Sequence, residues 1–124
     1  MATQRGTSSM FATLLGAFLI VEGIWGMFSP VVFGVLTTNV LHACIHIVLG
    51  VIGVWTGMKG GEKGFLTFLG ILLIAVGVLR FVPGINDLIV SLLNVNYAVA
   101  YFNIAVGIAS LLVARMARTN TPTV

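Results

Sequence analysis

The sequence predicts an all-α integral membrane protein with four transmembrane helices. Of its 124 residues, 59% are hydrophobic and only 7% charged; in soluble domains about a quarter are charged. The apolar residues also gather into four runs close to the roughly 20 residues that cross about 30 Å of hydrocarbon. None of these runs alternates apolar with polar residues as barrel strands do. Helices are then the structure that satisfies the backbone polar groups in lipid. The length suits one domain, residues 1–124.

The first span is Met10–Phe28, MFATLLGAFLIVEGIWGMF, and it stops at Ser29-Pro30. It is long enough to cross and lacks an A-x-A cleavage pattern, so it is expected to stay as a helix rather than leave as a signal peptide. The segment SPVVFGVLTT at 29–38 contains Pro30 and Gly34 and predicts an interfacial turn or a broken helix. Asn39–Met58 is the second span, followed by the turn KGGEKG, and Phe65–Val82 is the third, ending at Pro83-Gly84. INDLIVSLLN at 85–94 sets Ile85, Leu88, Ile89, Leu92 and Leu93 on one helical stripe. This is the pattern of a short amphipathic helix in the outer interface. The fourth span is Tyr97–Ala114, ending at RMAR.

With alternating helices, Arg5, Lys59, Lys63, Arg115 and Arg118 fall on one side. Arg80, at a helix end, and Asp87 fall on the other. The positive-inside rule then puts both termini in the cytoplasm, in a bacterial inner membrane or a thylakoid. Trp25 and Trp55 lie near opposite ends of their spans, where indoles anchor helices at the interface.

The chain repeats itself. FATLLGAFLIVEG at 11–23 aligns with FLTFLGILLIAVG at 65–77, and Asn39 and Gly50 align with Asn96 and Gly107 at the same spacing. Two tandem helical hairpins, about 10–58 and 65–115, are expected, inserted the same way up about an axis along the membrane normal. In GVIGVWTG, Gly53 and Gly57 have small-xxx-small spacing with Gly50 one turn earlier, a face that admits a neighbouring backbone. Packing inside the bundle is the simpler use of this face, and an oligomer contact is the other.

Charged groups inside a span are functional suspects because burying them in lipid is costly. Glu22 lies roughly 9 Å from the Phe28 end of its helix, and His42 and His46 roughly 5 and 10 Å from Asn39, at 1.5 Å per residue. Arg80, two residues before its span ends, can snorkel to the same side. Glu22, His42, His46 and Arg80 therefore form a candidate polar cluster in the outer half, with Glu22 and His46 at nearly one depth. Such a cluster could pin helix register through charge-assisted hydrogen bonds or serve a proton or ion relay. The two imidazoles, one turn and about 6 Å apart, also suit a cofactor. With Glu22 they make a two-His–one-carboxylate set of the kind that binds transition metals, and a single axial histidine suits chlorophyll or haem. Bis-histidine ligation of one haem does not fit, because its axial ligands approach from opposite faces. Cys44 points to the opposite side of the helix.

No serine–histidine–acid set, phosphate loop or zinc-protease motif is present, so the chain is not expected to be an enzyme. Six Lys and Arg are too few and too scattered for a nucleic-acid surface, and one cysteine rules out a disulfide framework. The leading expectation is a non-catalytic accessory subunit packed against a larger respiratory or photosynthetic complex. The alternative is a stand-alone proton, ion or small-solute transporter using Glu22 with His42 and His46. Pigment or haem binding by one histidine is a third. The partners expected are the lipid bilayer and the larger complex.

Asn39, His42, His46 and Gly50 spell N-x-x-H-x-x-x-H-x-x-x-G. With the Gly- and Leu-rich first helix and the second hairpin, the chain resembles small bacterial four-helix membrane proteins grouped as a domain of unknown function. That resemblance implies the four-helix fold over about residues 10–115 and no particular activity. The second copy departs from the motif, with Val99 and Asn103 where histidines would recur and Tyr97 and Tyr101 nearby.

Overall fold

A computed structural model describes residues 6–117. Arg5 and Arg118, two of the charges behind the orientation reading, lie outside the described residues. Among those described, five helices and a minimal β-ribbon follow in the order α1 (Gly6–Phe28), β1 (Val31–Val32), β2 (Leu36–Thr37), α2 (Val40–Lys59), α3 (Glu62–Leu79), α4 (Ile85–Leu93) and α5 (Tyr97–Met116). Four of them, α1, α2, α3 and α5, are long and apolar enough to cross a membrane.

Local chemistry sets the helix ends. The Asn39 side chain accepts the His42 amide at 2.9 Å and starts α2, and Asn96 accepts the Val99 amide at 2.9 Å and starts α5. Such a cap is worth about 1 kcal/mol. Gly60 and Gly61, at φ 112° and 97°, turn α2 into α3 within two residues, in a region open to glycine without strain. Two spans begin earlier than hydropathy suggests, α1 at Gly6 and α3 at Glu62. Their first turns are polar, so an apolar window misses them; they meet where Ser8 Oγ donates to Glu62 Oε2 at 3.1 Å. α3 also stops at Leu79 rather than Val82, because Pro83 disfavours helical backbone at the residue before it.

The 29–38 segment is neither a plain turn nor a broken helix. It is a two-stranded antiparallel ribbon pairing Val31 with Thr37 and Val32 with Leu36. Its loop holds Phe33 at φ 56° beside Gly34 at φ 76°. A left-handed phenylalanine is unfavourable, and aromatic contacts offset the cost. The Phe33 ring stacks on Phe18 at 5.7 Å and meets Trp25 edge-on at 4.8 Å. α4 is helical as its stripe predicts. Ile89 turns inward while Ile85, Leu88 and Leu92 remain exposed, an apolar face suited to a membrane interface.

α1 lies mainly against α2, and α3 against α5. Both seams are antiparallel and closed by glycine. A Cβ added at Gly16 would stand 2.6 Å from the Gly50 carbonyl, and one at Gly70 would stand 2.9 Å from that of Gly107. Nearer the ribbon, Gly23 faces the Ala43 carbonyl and Ile47, while Gly77 faces the Ala100 carbonyl and Ile104. Gly53 receives the Phe65 ring, and Gly57 lies against Ser9 and Thr13. The two pairs meet in a core of Ala12, Leu19, Leu49, Phe65, Leu66, Leu69, Leu73 and Ala114. The ribbon and α4 cover one end, the cap end, over Val32, Leu36, Ile89, Val95 and Val99. The other, the turn end, carries the α2–α3 connection.

Candidate functional site

Glu22 reaches the interior from α1, just past its midpoint, and is 6% exposed. His42 and His46 come from the first two turns of α2 at 4% and 7%. Antiparallel packing of these helices, with Gly23 on Ala43 and Ile47, sets the carboxylate level with the second imidazole. His46 Nδ1 stands 2.9 Å from Glu22 Oε1, an ion-pair distance, but off the line of a hydrogen bond. Glu22 Oε1 is thus the one buried side-chain oxygen or nitrogen without a hydrogen-bond partner among the described residues. Leaving such a group unsatisfied costs roughly 1–3 kcal/mol.

His42 lies one turn nearer the cap. Its Nδ1 is 3.0 Å from the carbonyl of Leu93, the last residue of α4. A carbonyl only accepts, so Nδ1 carries the hydrogen and Nε2 of the neutral ring is left as the acceptor. The two rings meet edge to face at 4.3 Å. A polar series Glu22–His46–His42–Leu93 therefore runs from the helix interior to the cap.

Arg80 does not join it. Its Nε donates to the Val95 carbonyl at 2.7 Å, and its guanidinium lies 4.3 Å over the Tyr97 ring. Because α3 ends at Leu79, Arg80 belongs to the following turn and reaches the chain entering α5. Cys44 is exposed, with Sγ 3.8 Å from Met27 Sδ. The glycines Gly50, Gly53 and Gly57 all face α1 or α3 inside the molecule. Trp25 leans on Phe33, and Trp55 is 64% exposed.

His42 and His46 are both buried, with their rings against each other. Among the described residues, no group of three His, Cys, Asp or Glu side chains is arranged to hold a metal ion. An open cleft of about 430 Å³ lies at the turn end, among Ser9, Met10, Thr13 and Gly57, well away from the histidines.

Glu62 is a buried acid that sequence reasoning missed. It is 7% exposed, accepting from Ser8 at the start of α3. It sits within KGGEKG, which has the composition of a solvated turn. An acid in a first helical turn complements the helix dipole, and that was the available signal. Asn103 and Ser110 on α5 are also buried, Ser110 donating to the Val106 carbonyl at 2.8 Å.

No curated protein and no solved structure matches the chain. A family model described as "Domain of unknown function (DUF4383)" matches residues 29–116, from the ribbon through the capping asparagines and the histidine motif to the last turn of α5. The chain, a small protein with four membrane-spanning candidates, belongs to that family.

Proposed function

We propose that the protein is a small non-catalytic membrane subunit that packs against a larger membrane protein complex. The observation supporting this reading is that its interior polar side chains mostly bind the chain itself. Ser8 binds Glu62, Ser110 the Val106 carbonyl, His42 the Leu93 carbonyl and Arg80 the Val95 carbonyl. These bonds lie within the molecule, all but that of Ser110 joining different elements, and leave an apolar exterior, with Leu14, Trp55, Phe68, Ile71 and Leu112 exposed, as a surface for lipid and a partner.

In this reading the α1–α2 and α3–α5 pairs are tandem hairpins from one duplicated unit. Lys59, Lys63 and Arg115 at the turn end set both termini on the cytoplasmic side. A transporter has less support. On α1 the polar residues of the turn end are separated from Glu22 by the apolar run Leu14–Val21, roughly 12 Å of helix. Extraction of native membranes in mild detergent, followed by size separation, is expected to recover the chain within a larger assembly. Recovery solely as an isolated monomer would refute the subunit reading.

A further inference from the structure

The second helix pair serves as an internal control for the Glu22 cluster. Gly16 and Gly50 approach each other as Gly70 and Gly107 do. Ile20 lies against Gly50 as Ile74 lies against Gly107, and Gly23 and Gly77 contact their partner helices at equivalent carbonyls. Both partner helices start on an asparagine cap. These contacts put Val76 in the place of Glu22, Val99 in that of His42 and Asn103 in that of His46. α3 and α5 therefore build the same seam with none of the three ionisable groups. The fold does not require the carboxylate–imidazole pair, and that pair holds the one buried side-chain atom left unpartnered among the described residues.

We propose that Glu22 and His46 form a binding site for a single proton, loaded from the cap end through His42. Unloaded, the site holds the Glu22 carboxylate beside a neutral His46. Hydronium at the cap gives up its proton to Nε2 of His42 and leaves as water. The same Nε2 then releases the proton to the His46–Glu22 pair, where it lies between Nδ1 and Oε1 and draws them into line, and His42 returns to its neutral form with Nδ1–H still on Leu93. Nδ1 of His42, held on Leu93, leaves Nε2 as that ring's basic atom. Loading takes the pair from a net charge of minus one to zero. No electron moves.

The other charged groups on the packed elements lie elsewhere. Lys59 in the last turn of α2 and Lys63 in the first turn of α3 are exposed at the turn end, Glu62 is bonded to Ser8 there, and Arg80, in the turn beyond α3, is turned to Val95 and Tyr97. Asp87 is in the exposed first turn of α4, and Arg115 is in the last turn of α5. The tyrosines of α5, Tyr97 and Tyr101, are exposed. The charge of the site is thus set by Glu22, His46 and His42.

The test is nuclear magnetic resonance of the full chain in lipid nanodiscs, with labelled glutamate carboxyl carbons and histidine nitrogens, between about pH 4 and 9. Glu22 and His46 are expected to change protonation together at one midpoint. His42→Val is expected to shift that midpoint or slow the exchange. The double variant Glu22→Val/His46→Asn, which copies Val76 and Asn103, is expected to keep the wild-type helical content and lose the titration. Wild-type signals that do not move over this range, or that titrate independently, would overturn the proposal without any variant. A double variant that unfolds would overturn the claim that the fold does not need the pair.

Discussion

Asn39 and Asn96 each do two things with one side chain. The amide oxygen of Asn39 caps α2 while its Nδ2 donates to the Leu92 carbonyl at the end of α4, at 2.8 Å. In Asn96 the oxygen caps α5 and Nδ2 donates to the Val35 carbonyl in the ribbon loop, at 2.9 Å. Each cap thus holds the connecting segment of the other helix pair. Thr37 and Asn94 reinforce the exchange, Thr37 Oγ1 donating to the Asn94 carbonyl and Asn94 Nδ2 to the Thr38 carbonyl. Replacing Asn39 with alanine removes both bonds and is expected to cost about 2 kcal/mol, half from the cap and half from the clamp. Asn39→Asp keeps the accepting oxygen and loses the donor, so about half that loss is expected. Asn96→Ala should match Asn39→Ala. Helix melting by circular dichroism in mixed micelles measures all three, and a much smaller loss at Asn96 would contradict the reciprocal clamp.

At the level of the helices, the glycine seams make the sharpest demand. A Cβ on Gly50 would stand 2.5 Å from the Gly16 carbonyl. Backbone cannot yield there without parting the helices, and overpacking of this kind costs about 1–3 kcal/mol. Gly50→Ala is therefore expected to lower the melting transition, and Gly107→Ala to do so similarly. Gly64→Ala is the control, since its Cβ would meet nothing within 4 Å and alanine is the better helix former; equal effects at Gly50 and Gly64 would contradict the close approach. The small-residue spacing was legible in GVIGVWTG, but its partner was not, because spacing does not say which helix docks on it. The asparagine caps and the stripe of α4 were legible for a similar reason, being local. The ribbon at 31–37 was not, since its loop holds Phe33 at a positive φ through Phe18 and Trp25, contacts with the preceding helix that no local pattern encodes.

Across the whole molecule, the pairing of Glu22 with His46 could be read from the sequence, because helical rise converts residue number into depth. The course of Arg80 could not, because it depends on how the chain returns from α4 to place Val95 and Tyr97. Glu62 was hidden for the opposite reason: its neighbours in sequence are polar, and only the docking of α1 buries it. The expected orientation in the membrane follows from charge. Lys59 and Lys63 flank the α2–α3 connection, and Arg115 ends α5 at the same end of the bundle. At the cap end, Arg80 is bound to the chain itself. Cytoplasmic placement of the turn end is then the expected outcome. In a Cys44→Ala background, Gly64→Cys should react with a membrane-impermeant maleimide only after the membrane is opened. Ser91→Cys, on the exposed side of α4, should react in intact cells. The reverse pattern would invert the orientation, and labelling of both from one side would contradict α3 as a complete crossing, because it alone connects the two positions.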